Sequence, residues 1–80
     1  MSARQFANSS MIDHVLFDDD TNVLAISFRQ TGKYLYYGVP RSTFDALCEA
    51  SSTGSFFNKQ IKGNFPCRRD PDRRRFGPNG

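Results

Sequence analysis

The stretch from Val23 to Arg29 alternates: Leu24, Ile26 and Phe28 fall on one side, Ala25, Ser27 and Arg29 on the other. Successive side chains of a strand leave opposite faces, so the pattern predicts a strand with one face buried. Met11 to Phe17 alternates less cleanly. Ile12, His14 and Leu16 share one side, and Met11, Asp13, Val15 and Phe17 share the other, so both sides are partly apolar. Its β-branched and aromatic residues still favour a strand. Tyr34 to Val39 is a third, with Tyr34, Tyr36 and Gly38 on one face and Leu35, Tyr37 and Val39 on the other. The connections, Asp18 to Asn22 and Gln30 to Gly32, are short and polar, and Gly32 accepts a positive φ. Three strands joined this way predict an antiparallel meander.

Pro40 ends the third strand and suits a helix entry. Ser42 followed by Asp45 resembles a capping box, and Phe44, Leu47, Cys48 and Ser51 form an i, i+3, i+4, i+7 stripe. Ser52 is placed to cap a second short helix from Thr53 to Lys62, with Phe57 and Ile61 one turn apart and Gly63 ending it. Residues 1–8 lack a clean period and read as a loose arm. Residues 67–80 carry Pro71, Gly77, Pro78 and Gly80 with no periodic apolar set, and read as a flexible tail. There is no internal repeat. The expected fold is α+β: a three-stranded antiparallel meander covered on one face by two short C-terminal helices, with a flexible basic tail.

At 80 residues the chain is one domain. A domain this small buries only about 60% of the surface its unfolded chain exposes. It is too short for a dinucleotide-binding fold or a barrel of strands and helices. With 38% apolar and 24% charged residues its balance is globular. Eight Phe and three Tyr, with no Trp, must supply much of the core. Apolar runs such as Val23 to Ile26 fall far short of the roughly 20 residues of a membrane span.

Charge is distributed unevenly. Arg4, Arg29, Lys33, Arg41, Lys59 and Lys62 balance Asp13, Asp18, Asp19, Asp20, Asp45 and Glu49, so residues 1–66 are neutral. Residues 67–80 hold Arg68, Arg69, Arg73, Arg74 and Arg75 against Asp70 and Asp72, which accounts for the whole net charge of +3. A basic tail on a neutral body suggests an anionic partner such as nucleic acid, and a merely solubilising tail is the competing reading. Arg29, Lys33, Lys59 and Lys62 extend the candidate patch, and the last two, three apart, are expected to share a helix face.

Cys48, Cys67 and the single His14 do not make a zinc set, and the N-terminus lacks an apolar targeting stretch. Free thiols in the cytoplasm are therefore expected. Asp18-Asp19-Asp20 lacks the spaced carboxylates and later acidic ligand of a calcium loop and reads as a hairpin turn. His14 is a candidate base and Ser9, Ser10 and Cys48 are candidate nucleophiles, but no spacing suggests an orienting partner. Tyr34, Tyr36 and Tyr37 are either a base-stacking platform or, for the first two, core rings with their hydroxyls at the rim. If Tyr34 and Tyr36 are core, Tyr37 and Leu35 lie on the open face as contact residues.

The string Tyr34-Leu35-Tyr36-Tyr37-Gly38-Val39-Pro40 resembles the Tyr-x-Tyr…Val-Pro centre of the KTSC domain family. Ser9-Ser10 with Ile12, then Val15 to Asp18, resemble the opening and first strand of that domain. Leu24, Ile26 and Phe28 followed by Gly32 resemble its second strand. Phe44, Leu47, Ala50, Ser52, Gly54, Phe56-Phe57-Asn58 and Ile61 resemble its helical part. The likeness spans residues 9–66. The family is named for its occurrence at the C-terminus of some lysyl-tRNA synthetases and also occurs as small stand-alone bacterial proteins. The resemblance implies a nucleic-acid-binding module, RNA over DNA, with Tyr34, Tyr36, Val39 and Pro40 as motif residues. The expectation is a non-enzymatic protein without cofactor or metal, a monomer or weak homodimer. The alternative is a protein-interaction module using an edge strand or the open face of Leu35, Tyr37 and Val39.

Overall fold

The computed structural model describes residues 1–7 and 9–69. The chain runs β1 (Ser2–Gln5), β2 (Ile12–Asp18), β3 (Val23–Phe28), β4 (Gly32–Tyr36), α1 (Arg41–Glu49), α2 (Thr53–Phe56), a π turn (Phe57–Ile61) and β5 (Cys67–Arg69). The strands form one antiparallel sheet in the order β1-β2-β3-β4-β5. The expected central meander is present, but among the described residues the sheet has five strands. The residues read as a loose arm supply one edge, and the first residues of the presumed tail supply the other. Arg73, Arg74 and Arg75 lie outside the described residues.

The alternation of β3 is as expected, with Leu24 and Ile26 fully buried. In β2 the register slips between Ile12 and His14, so that Ile12 pairs with Phe28 while His14 pairs with Ser27. The extra residue places Ile12 and Val15 on the same buried face, which plain alternation forbids. This bulge is why β2 looks two-sided in sequence.

Both helical segments cover one face. Phe44 and Leu47 of α1 and Phe57 and Ile61 of the π turn meet Phe17, Leu24, Ile26 and Tyr36 of the sheet. Phe17 stacks on Phe44 with centroids 5.3 Å apart. Phe6, from the segment read as a loose arm, joins this core and donates its N–H to the Asp13 carbonyl at 2.9 Å.

Two local expectations change. Pro40 is the N-cap of α1, which places Ser42 inside the first turn with no side-chain cap. Asp45 pairs with Arg41 at 3.2 Å instead of completing a capping box. Val39, expected on the open face, is fully buried, because Gly38 at φ 72 breaks the alternation and turns Val39 inward. Its N–H donates to the Asn22 carbonyl at 2.9 Å, tying the helix entry to the β2–β3 turn. In that turn Asp18 accepts the Asp20 N–H at 3.0 Å, and Asp19 pairs with Arg41 at 2.9 Å. The Ser52 cap forms as expected, accepting the Ser55 N–H at 3.3 Å.

Candidate functional site

The rings that the sequence clusters at Tyr34 and Tyr36 meet two more across the layer. Phe28 packs edge-on to Tyr34, Phe57 edge-on to Phe28 and to Tyr36, with centroids 5.1 to 5.7 Å apart. Two positions on β4, one on β3 and one on the π turn thus make a four-ring basket. It opens as a cleft of about 550 Å³ whose walls are mainly apolar. Met11 adds to the wall, Ser10, Gln30 and Thr31 stand along the rim, and Lys62, Gly63 and Cys67 complete the lining. Tyr36 is 5% exposed and Tyr34 is half-buried, so both are core rings that also face the cleft.

The π turn shapes one side of it. The Lys62 N–H bonds the Phe57 carbonyl at 2.8 Å, five residues back, and Lys62 already has extended backbone. Lys62 therefore leaves the helix and does not share a face with Lys59, contrary to the simple three-residue spacing. β5 shapes the other side. Its register sets Cys67 opposite Tyr36 and Arg69 opposite Tyr34. The Arg69 guanidinium lies 5.8 Å from the Tyr34 ring centroid, within cation–π range.

Burial pushes the Tyr36 hydroxyl well above the ordinary tyrosine value, and its hydrogen-bonded neighbour Cys67 adds to the shift. Burial likewise raises the Cys48 thiol on α1. A raised folded-state value contributes stability that is complete below the unfolded value and is lost as pH climbs toward the folded one. The unfolded chain ionises tyrosine near pH 10, so Tyr36 destabilises the fold as pH rises past about 10. Melting temperatures at about pH 8 and pH 11 should fall further for the parent than for Tyr36→Phe. Equal drops in the two proteins would show that Tyr36 ionisation is not coupled to folding.

Among the described residues, no helix covers the opposite sheet face. Its central row, read across the register, is Ala3, Leu16, Ala25, Leu35 and Arg68. The next row holds Gln5, His14, Ser27 and Lys33. Tyr37, one residue past β4, is half-buried and donates its N–H to the Pro66 carbonyl at 2.9 Å. On this face the Ser27 hydroxyl meets His14 Nε2 at 3.1 Å, and His14 Nδ1 meets Asp13 at 3.4 Å. The order is that of a nucleophile, base and orienting acid, which sequence spacing concealed because the bulge creates it. Acyl transfer also needs donors aimed at a developing oxyanion. Here Ser27 is a mid-strand residue paired on both sides, with His14 and Lys33, and Asp13 also pairs with Arg29 at 3.3 Å. The trio bridges β2 and β3 across the bulge.

Among the described residues, the predicted basic residues do not form one patch. Arg29 donates to the Phe6 and Ser9 carbonyls, each at 2.7 Å, and so holds the β1–β2 connection. That is a structural role which sequence gave no reason to suspect, since the acceptors are backbone atoms 20 or more positions away. Lys33 and Arg68 lie on the open face, Arg69 and Lys62 border the aromatic cleft, and Lys59 is exposed on the π turn.

Comparison with known proteins adds the following. The model of the KTSC domain family matches residues 8–65. A protein of Tsukamurella paurometabola is 41% identical over 61 residues, covering 76% of this chain and 91% of that protein. A lysine–tRNA ligase of Nostoc punctiforme is 39% identical over 56 residues, which are 70% of this chain but 10% of the ligase. The crystal structure of a KTSC domain protein from Yersinia pestis superposes with a TM-score of 0.80 at 38% identity, covering 86% of this chain and 99% of that one.

Proposed function

The chain belongs to the KTSC domain family, and from that premise we propose that it is a small non-enzymatic module that binds single-stranded nucleic acid, RNA in preference to DNA. One observation carries the reading. β5 sets the first tail arginines along one margin of the sheet, with Arg69 over Tyr34 on the aromatic side and Arg68 beside Leu35 on the open face. Single-strand binders combine a basic track for the backbone with rings for the bases. In sequence the track continues through Arg73, Arg74 and Arg75. The presence of the domain in a relative named for its action on a tRNA is consistent with it.

The test is fluorescence anisotropy of a labelled single-stranded RNA titrated with the full chain and with residues 1–69, at low salt. A cut after Arg69 keeps β5 in the sheet, whereas a cut after Pro66 would strip a strand and confuse binding with folding. Removing three of the five tail arginines should weaken binding by at least tenfold. Equal affinity for the two proteins would move the contact to the folded body, and no binding by either would refute the reading. A second reading, a protein-interaction module, is favoured by the uncovered row of Leu16, Ala25 and Leu35.

A further inference from the structure

The four-ring cleft is a more particular site than a stacking platform. Its rings pack edge to face against one another and form one wall of an open cleft, against which a single flat group can lie. Its volume of about 550 Å³ falls in the range of small-molecule sites. The walls are apolar while polar groups stand at the rim, an arrangement suited to a flat ring with hydrogen-bonding edges. Lys62 lines the cleft on the helical side, and Arg69 on β5 lies over the ring of Tyr34. An uncharged aromatic ligand would leave these cations unused, and a bare anion would leave the rings unused.

We infer that the cleft lined by Phe28, Tyr34, Tyr36 and Phe57 takes a single nucleoside phosphate, with the base against the rings and the phosphate toward Lys62. This rests on the nucleic-acid reading and makes it specific: one unstacked nucleotide is captured while the tail follows the backbone. The same chemistry is offered by a free mononucleotide and by a nucleotide within RNA.

Amide chemical shifts of the full chain separate the two. The probes are adenosine 5′-monophosphate, adenosine, inorganic phosphate and a short single-stranded RNA. The monophosphate should shift the amides of Thr31, Tyr34 and Gly63, adenosine should shift the same set with about tenfold weaker affinity, and phosphate alone should leave them in place. Lys62→Gln, at an exposed position, should weaken the monophosphate about tenfold and leave adenosine unchanged. The RNA should shift the same amides, and its failure to do so while the monophosphate binds would assign the cleft to free nucleotides. Monophosphate that leaves the cleft amides unmoved, with RNA still bound, would overturn this inference and spare the tail-led reading. Loss of both would overturn both.

Discussion

Phe57→Ala should lower the unfolding free energy by about 3–5 kcal/mol, the cost of truncating a buried ring without full collapse of the cavity. Phe57 is 4% exposed and is the ring through which the π turn grips the sheet, edge-on to Phe28 at 5.1 Å and to Tyr36 at 5.6 Å. A domain of this length has roughly 4–12 kcal/mol in total, so the substitution takes about a quarter or more of it. Urea unfolding should show a lower midpoint with an unchanged slope, since the surface exposed on unfolding is nearly the same. Phe57→Leu keeps most of the volume and should cost less than half as much. A loss below about 1 kcal/mol for the alanine variant would mean that the π turn merely rests on the sheet.

The second large effect is on salt dependence. If Arg68, Arg69, Arg73, Arg74 and Arg75 each neutralise one phosphate of a single strand, log affinity should fall with log salt at a slope near −3.5. A fourfold rise in salt then weakens RNA binding by roughly 100-fold. Replacing Arg68 and Arg69 by Gln should flatten the slope by about 1.4. These two are separable from folding because their side chains are exposed at an edge, and the strand pairs through its backbone. Residues 1–66 carry balanced charge, so most of the slope is expected from the tail. A measured slope no steeper than −1 would rule out the arginines as the main contact.

The sequence made the interior of the sheet legible and hid its margins. β3 was readable because one face is buried and the other open, so its composition records its position. β1 is Ser-Ala-Arg-Gln and β5 is Cys-Arg-Arg, and neither has an apolar side to bury. They are strands because a neighbour offers backbone partners, a long-range fact that local composition does not encode. Phe6 is buried for the same reason, since β1 brings it to the core. The cleft was half legible. Tyr34 and Tyr36 stood out, but Phe28, Phe57, Cys67 and Lys62 join them only when the π turn and β5 close from opposite sides. A five-residue hydrogen bond has no recognisable pattern in sequence, so the assignment of Lys59 and Lys62 to one face failed there. A single positive φ at Gly38 turns Val39 inward against the alternation.

The strand order has a consequence for any longer protein that carries this domain. β1 and β5 are the two margins of the sheet, four strand spacings or about 19 Å apart. A neighbour joined ahead of β1 is therefore anchored across the sheet from the arginines. The join would act as a tether that leaves the basic margin facing outward, presented at an effective concentration set by linker length. A neighbour joined there leaves the margin of Arg68 and Arg69 uncovered.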